Sequence, residues 1–224
     1  MNDDQLEGHE ALLESLKNRN IAGWKVGLTS GNGRNSMGVG FRPFGWILEE
    51  RHFSSGSSIS KAEIADAELE NELCFKFNKD LPFGSKRKDI LDAIESVAPA
   101  FEIIQNRIPK DSSVIDRLSD GLSHWGLVTG TFISLDWPYY DFQDVAVTLN
   151  HDHEPMSTVS AMGHIDDHFA SIAALSKNLS FFDRHISKGD LVITGSFTRL
   201  PVDKTGNWCG DFGSDLGTVE INIK

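Results

Sequence analysis

Residues 67–77 read AELENELCFKF, and this stretch constrains the fold more than any other. Leu69, Leu73, Phe75 and Phe77 fall on one parity, and Glu68, Glu70 and Glu72 on the other. Alternate side chains of a strand share a face, so the pattern predicts a β-strand with one greasy and one acidic side. Two readings of the acidic side stay open. It meets water in a half-exposed sheet, or it holds a metal. Carboxylates two apart on a strand lie about 6.5 Å apart at Cα, close enough for their tips to converge on one hard cation. Without such an ion, bundled acids repel one another.

The rest of the chain supplies further strands and a few helices. Leu6, Leu12, Leu13 and Leu16 predict an amphipathic helix over 4–18. SKRKDILDAIESVA predicts a helix with Ser85 as its N-cap, running through Ile90, Leu91, Ile94 and Val97 and stopped by Pro99. IDDHFASIAALSKNL predicts another, with Ile165, Phe169, Ile172 and Leu175 on one face. GWKVGLTS, WILEERHF, AFEIIQNRI, GLVTGTFISL, DVAVTLN, DLVITGSF and GTVEINI read as strands. Many strands with about three helices predict a mixed α and β protein, class α+β. No repeat, low-complexity tract or linker divides the chain. The expected layout is an N-terminal helical segment, 1–20, and a single catalytic domain, 21–224.

The sequence has 33 Asp and Glu against 21 Lys and Arg, a net charge of −12. Such a field disfavours a nucleic-acid backbone or an anionic membrane surface as partner. It admits a small anionic substrate where a metal or lysine offsets it locally. The start, MNDDQLEGHE, is acidic and unlike a signal peptide, and no apolar run approaches the roughly 20 residues that span a bilayer. Cys74 and Cys209 read as free thiols, and the expected compartment is the cytoplasm.

Two isolated charges raise questions. Glu102 stands between Phe101 and Ile103, where a buried acid needs a partner. Lys25 stands between Trp24 and Val26. It either snorkels to the surface or is held at an active centre, where its surroundings tune its proton affinity.

GWKVGLTS, RPFGWIL, ELENELCF, PAFEIIQNRI, DRLSDGLSHWGLVTG, GDLVITGSFT and LGTVE occur in that order across residues 21 to 221. This series resembles the 2-oxopent-4-enoate hydratase and 4-oxalocrotonate decarboxylase branch of the fumarylacetoacetate hydrolase superfamily. The resemblance implies a mixed β roll or sandwich flanked by helices, in a homo-oligomer. It implies Mg²⁺ or Mn²⁺ held by Glu70, Glu72 and Glu102, with Glu68 outside the motif and at the surface. It carries the family's lysine to Lys25, its active-site aspartate and serine to Asp120 and Ser123, and its glycine-serine loop to Gly195, Ser196 and Thr198. The implied substrates are 2-hydroxydienoates or their 2-oxo tautomers, which chelate a divalent ion through C1 carboxylate and C2 oxygen. Hydration to 4-hydroxy-2-oxo acids is the leading expectation. Decarboxylation of 4-oxalocrotonate, acylpyruvate hydrolysis and a non-catalytic ligand-binding subunit are the alternatives. Lys25 is expected to bind an oxyanion or shuttle a proton, and Asp120 and Ser123 to orient substrate or water.

The chain departs from the family pattern at three points. Gly121 stands where asparagine is usual, Ile165 follows His164 where proline is usual, and Asp166 and Asp167 replace small or amide residues. The lysine strand also comes earlier in this chain than in family members. Other motifs compete weakly. His164 and His168, four apart, lack the glutamate and third ligand of a zinc protease. HDHE, 151–154, reads as a polar turn. GNGRNSMGVG lacks the Gly-Lys-Ser/Thr ending of a phosphate loop and reads as a flap beside a pocket. Ser123 has no nucleophile elbow around it.

Overall fold

The computed structural model describes residues 1–109, 111–134 and 140–224. Its centre is a pair of long antiparallel strands, β5 (Ala67–Phe77) and β6 (Ile94–Gln105), in the middle of an eight-stranded mixed sheet. On the β5 side lie β10 (Leu191–Ile193), β1 (Ile21–Val26) and β2 (Phe44–Leu48). On the β6 side lie β7 (His124–Thr129) and β3 (His52–Ser54), while β11 (Arg199–Pro201) pairs the first half of β5. A five-stranded sheet in the order β4 (Ser57–Ile59), β13 (Thr218–Ile223), β12 (Gly206–Asp211), β8 (Ala146–His151) and β9 (Glu154–Ser160) packs on β6 and β7. The fold is thus of the α+β class, with few helices around mixed sheets.

The greasy parity of β5 behaves as its alternation predicts: Leu69, Leu73, Phe75 and Phe77 are all buried in the main core. Asn71 shares that face, and its amide donates to Thr198 Oγ1 at 2.8 Å. Asn71 presses so close to Gly210 of β12 that a Cβ there would sit 2.1 Å from its Oδ1. Phe75 meets the rings of Phe142 and Phe169, the latter on α4 (His168–Ser180). α4 buries Phe169, Ile172, Leu175 and Leu179, the spacing of one helical face. Asp167 caps it by accepting from the Ala170 N–H at 2.8 Å. Ile165 lies before the helix, bridged to Ser30.

α1 (Asp3–Ser15) opens with a capping box in which Asn2 accepts from the Gln5 N–H, and it packs on α3 (Val114–Ser119). α2 (Arg87–Ala93) is shorter than its sequence suggests. Ser85 is not its cap. Asp89 accepts from the Lys86 N–H at 2.7 Å, and at Ile94 the backbone turns extended. Ile94, Val97 and Pro99 therefore belong to β6, and Pro99 does not end a helix. Val97 exchanges both its backbone hydrogen bonds with Ile133, on the side away from β5. Pro99 has the same parity, so its missing N–H falls where β7 has already ended, and its carbonyl accepts from the Gly130 N–H at 2.8 Å. The predicted WILEERHF strand is two strands, β2 and β3, split by a 3-10 turn at Glu49–Arg51. Part of the predicted GLVTGTFISL strand, residue 135, lies outside the described residues. No helix among the described residues is long and apolar enough to cross a membrane.

Candidate metal centre

Strand register assembles the carboxylates. Glu70 of β5 is the direct partner of Glu102 of β6, and Glu72 lies two residues on along the same face. Glu70, Glu72 and Glu102 each present an oxygen within 4.8 Å of the others, and all three are buried. At those positions the acidic face is not a solvated outer surface of the sheet: Glu70, Glu72 and Glu102 are buried. Like charges directly opposite are costly, the more so away from solvent. Burial, then the Glu102 charge, push the Glu70 carboxyl up to about 7. Burial, then Glu102 and Glu70, push Glu72 well above the usual carboxylate range, although Glu72 Oε2 accepts from the Thr194 and Gly195 N–H groups at 3.1 and 2.6 Å. Burial would raise Glu102 too, but Lys25 and a hydrogen bond from His124 outweigh it and hold it at about 2.

Lys25 is buried and does not snorkel. It pairs with Gly45 of β2 in register, and a Cβ at Gly45 would stand 2.9 Å from its Cγ, so the glycine makes room for the lysine stem. Lys25 Nζ donates to Glu102 Oε1 at 2.6 Å and to the Leu122 carbonyl at 3.2 Å. That carbonyl is aimed by an unusual turn. After α3 the backbone runs through Gly121, Leu122 and Ser123 at φ 67, 56 and 64. Two successive non-glycine residues in the left-handed region store strain, on the order of 1–3 kcal/mol each. Gly121 and Leu122 donate back to Leu118 and Arg117, the double hydrogen bond of a Schellman ending. Asp120 braces the turn: its carboxylate accepts from the Ser123 N–H at 3.0 Å and from Arg107 Nε at 2.9 Å.

These groups open on one cavity of about 770 Å³, within the range of small-molecule sites. Lys25, Ser123, the three glutamates, Gly195, Ser196 and Thr198 line it. Asp120 does not; it faces Arg107 and the turn. Residues 194–196 leave the edge of β5 between β10 and the return at Phe197, whose N–H donates to the Asn71 carbonyl, which is how two backbone N–H groups reach Glu72. Gly195, at φ 143, has no room for a side chain, since a Cβ would lie 2.3 Å from Thr29 Oγ1. Ser196 Oγ lies 3.3 Å from Ser30 Oγ, so the glycine-serine loop and the 27–33 loop meet at the cavity.

Several residues escape a reading of the sequence. His124 is fully buried in β7, and its Nδ1 lies 2.7 Å from Glu102 Oε1. A carboxylate only accepts, so Nδ1 is the donor and the tautomer is set. Its sequence signal was present: it follows Ser123 directly inside a recognised motif. Arg199, register partner of Glu70, pairs with Glu68 and lies 3.2 Å from Glu70 Oε1. Glu68, outside the carboxylate cluster as expected, is part-exposed and lines the cavity in its ion pair with Arg199. Arg117 also lines the cavity. Elsewhere, His164 borders the cavity while buried His168 turns its Nδ1 to Thr194 Oγ1 at 2.7 Å, so these two histidines share no ligand position. The three glutamates are the cluster that meets the geometry of a metal site among the described residues. All-oxygen donors suit a hard divalent cation, and two acids pushed upward by burial and then by the Glu102 charge are what such an ion relieves.

The acidic substitutions after His164 are explained by the same neighbourhood. Asp166 lies 3.0 Å from Arg34 Nε and 2.7 Å from Arg42 Nη2, and Arg34 also donates to the His164 carbonyl at 2.7 Å. Asp166 therefore pins both ends of the glycine-rich loop to the cavity rim. Asp167 caps α4 and pairs with Arg87 at 2.8 Å.

Scanned against models of protein families, the chain matches none. It is 24% identical over 208 residues to a 2-keto-4-pentenoate hydratase of Paraburkholderia xenovorans, covering 92% of this chain and 77% of that protein. It is 24% identical over 185 residues to a 4-oxalocrotonate decarboxylase of a Pseudomonas species, covering 82% of this chain and 71% of that one. Its fold matches 4-oxalocrotonate decarboxylase from Pseudomonas putida G7, complexed with magnesium and adipate, with a TM-score of 0.88 at 22% identity, over 98% of this chain and 86% of that one. In sequence the chain is thus similar to these hydratases and decarboxylases, and it shares the decarboxylase's fold, in keeping with the branch that its motifs resemble.

Proposed function

We propose that this chain is a divalent-metal-dependent lyase of 2-hydroxydienoates and their 2-oxo tautomers. Its reaction is hydration of 2-oxopent-4-enoate-like substrates to 4-hydroxy-2-oxo acids. One observation carries the reading: three buried carboxylates with oxygens within 4.8 Å, beside a buried lysine, in a cavity of substrate size. Glu70, Glu72 and Glu102 would hold the ion, Mg²⁺ or Mn²⁺. When bound, it supplies Lewis-acid polarisation of the 2-oxo group.

The protein's own groups do the rest. His124 fixes the Glu102 carboxylate through Nδ1–H, and the Thr194 and Gly195 N–H groups fix Glu72. Lys25 Nζ, held between Glu102 and the Leu122 carbonyl, carries the proton that moves during ketonisation of the dienol. The Ser123 hydroxyl and the Ser196 and Thr198 side chains orient substrate and the attacking water. Asp120 acts on them through the turn that it braces. Residues 21–224 form the catalytic unit and 1–20 a helical appendage, in a cytoplasmic homo-oligomer serving the breakdown of aromatic compounds.

Decarboxylation of a 4-oxalocrotonate-type acid is the second reading, favoured by the likeness to the Pseudomonas decarboxylase. The test is a spectrophotometric screen of 2-hydroxydienoates and 4-oxalocrotonate, with Mg²⁺ and with chelator. Mg²⁺-dependent loss of dienoate absorbance is expected. Mg²⁺ binding with no turnover of any substrate would identify a non-catalytic homologue instead. Glu70→Gln is expected to abolish both Mg²⁺ binding and turnover, and full turnover in that variant would sink the ligand assignment.

A further inference from the structure

Among the charged groups lining the cavity, nearly all are committed to one another. Lys25 is bound to Glu102, Arg199 to Glu68 and Glu70, and Glu72 to two backbone N–H groups. Arg117 differs. It is half-buried and lines the same cavity, yet among the described residues its guanidinium makes no hydrogen bond or ion pair. The acids nearest to it in the chain are engaged elsewhere: Asp116 accepts from Ser113 Oγ at 2.7 Å, and Asp120 pairs with Arg107.

The backbone also fixes where Arg117 stands. Its carbonyl accepts from the Leu122 N–H at 3.0 Å, and the Leu122 carbonyl accepts from Lys25 Nζ. Arg117 and Lys25 therefore flank one strained turn, with the carboxylate cluster on the lysine side. The cavity wall also carries Ile104, Ile108, Pro109 and Val159, apolar surface suited to a carbon chain.

We infer that Arg117 binds a second carboxylate, at the end of the substrate remote from the 2-oxo acid group, and that the preferred substrates are dicarboxylic 2-oxo acids. This rests on the lyase reading and narrows its substrate class. A guanidinium offers two parallel N–H donors to a carboxylate, the geometry in which such pairs are strongest. A substrate ending in a methyl or vinyl group leaves that cation unanswered, and polar sites reject analogues that lack the matching group.

The experiment compares kcat/KM for 2-hydroxypenta-2,4-dienoate, which has one carboxylate, and 2-hydroxyhepta-2,4-diene-1,7-dioate, which has two, in the wild type, Arg117→Met and Arg117→Lys. The wild type is expected to favour the diacid. Arg117→Met is expected to lower the diacid-to-monoacid ratio roughly 10- to 100-fold, the worth of a hydrogen-bonded charge pair, with the larger part in KM. Arg117→Lys, which keeps the charge but loses the fork, is expected to restore part of it. A second readout needs no turnover: thermal protection of the Mg²⁺-loaded protein by 2-oxoadipate against 2-oxopentanoate, with the diacid's advantage lost in Arg117→Met. An unchanged ratio in Arg117→Met, or a wild type that favours the monoacid, overturns the inference and leaves the lyase reading standing. Absence of turnover with either acid defeats the lyase reading, and the protection assay then decides for or against the Arg117 subsite.

Discussion

At the scale of single residues, the site depends on what is missing as much as on what is present. Gly45 is a clear case, because its absent side chain is the space through which Lys25 reaches Glu102. Gly45→Ala would press on both the Lys25 stem and the Gly121 carbonyl, which lies 3.0 Å from the added Cβ. The expected outcome is a folded protein destabilised by about 1–3 kcal/mol, with kcat reduced more than KM is raised. Chemical denaturation and steady-state kinetics on one preparation check it. His124 makes a complementary case. His124→Phe removes the only hydrogen bond that the imidazole gives to Glu102, and is expected to weaken Mg²⁺ binding by roughly 10- to 100-fold, read by calorimetry.

At the scale of elements, two segments hold the site's walls in place. The glycine-rich loop is fastened by Asp166 to Arg34 and Arg42, a network at the cavity rim. Asp166→Asn is expected to raise KM severalfold with little change in thermal midpoint, because the pairs are partly exposed and worth on the order of 1 kcal/mol or less each. Faster limited proteolysis between residues 31 and 42 is the accompanying readout. The first helix is fastened differently. His9 is fully buried, its ring stacked on Phe44 at 4.0 Å; its Nδ1 donates to the Gln5 carbonyl and its Nε2 accepts from the Phe44 N–H. Burial pulls its pKa down from 6.5 to about 4. The unfolded chain thus binds a proton that the folded one refuses, so the contribution of His9 is complete above pH 6.5 and is lost as pH falls toward 4. The full loss amounts to about 3 kcal/mol. His9→Leu is expected to flatten part of the decline in thermal midpoint over that range. His168, also pulled down to about 4, supplies another part that persists.

At the scale of the whole molecule, an ion that binds only the folded state must raise its stability, by about 2.7 kcal/mol at a hundred times the dissociation constant. A Mg²⁺-dependent rise in thermal midpoint, absent in Glu70→Gln, is the expected result. The same scale shows what a sequence exposes and what it hides. Strand β5 was legible because its period of two is an intrinsic property of eleven consecutive residues, and its register partner Glu102 stood out as an acid among apolar neighbours. The extent of β6 was not legible, because Ile94 and Val97 fit a helical spacing and Pro99 looks like a stop until Ile133 and Gly130 are seen to occupy that flank. Arg199 and Arg117 were illegible for another reason. A surface arginine and one that lines a cavity look alike in sequence; only tertiary placement tells them apart. Asp166 was visible as a departure, but its partners 124 and 132 residues earlier were not.

The direct pairing of Glu70 with Glu102 across β5 and β6 has a mechanical consequence. The backbones that carry these two carboxylates cannot be drawn apart without unzipping the β5–β6 ladder, so the seat proposed for the cation stands on rigid strands and needs no hinge. Loading and unloading should then leave amide exchange along both strands nearly unaltered, while the exchange of backbone protons at residues 194–196, which stand out from the ladder before Phe197 rejoins Asn71, reports each visit of the ion.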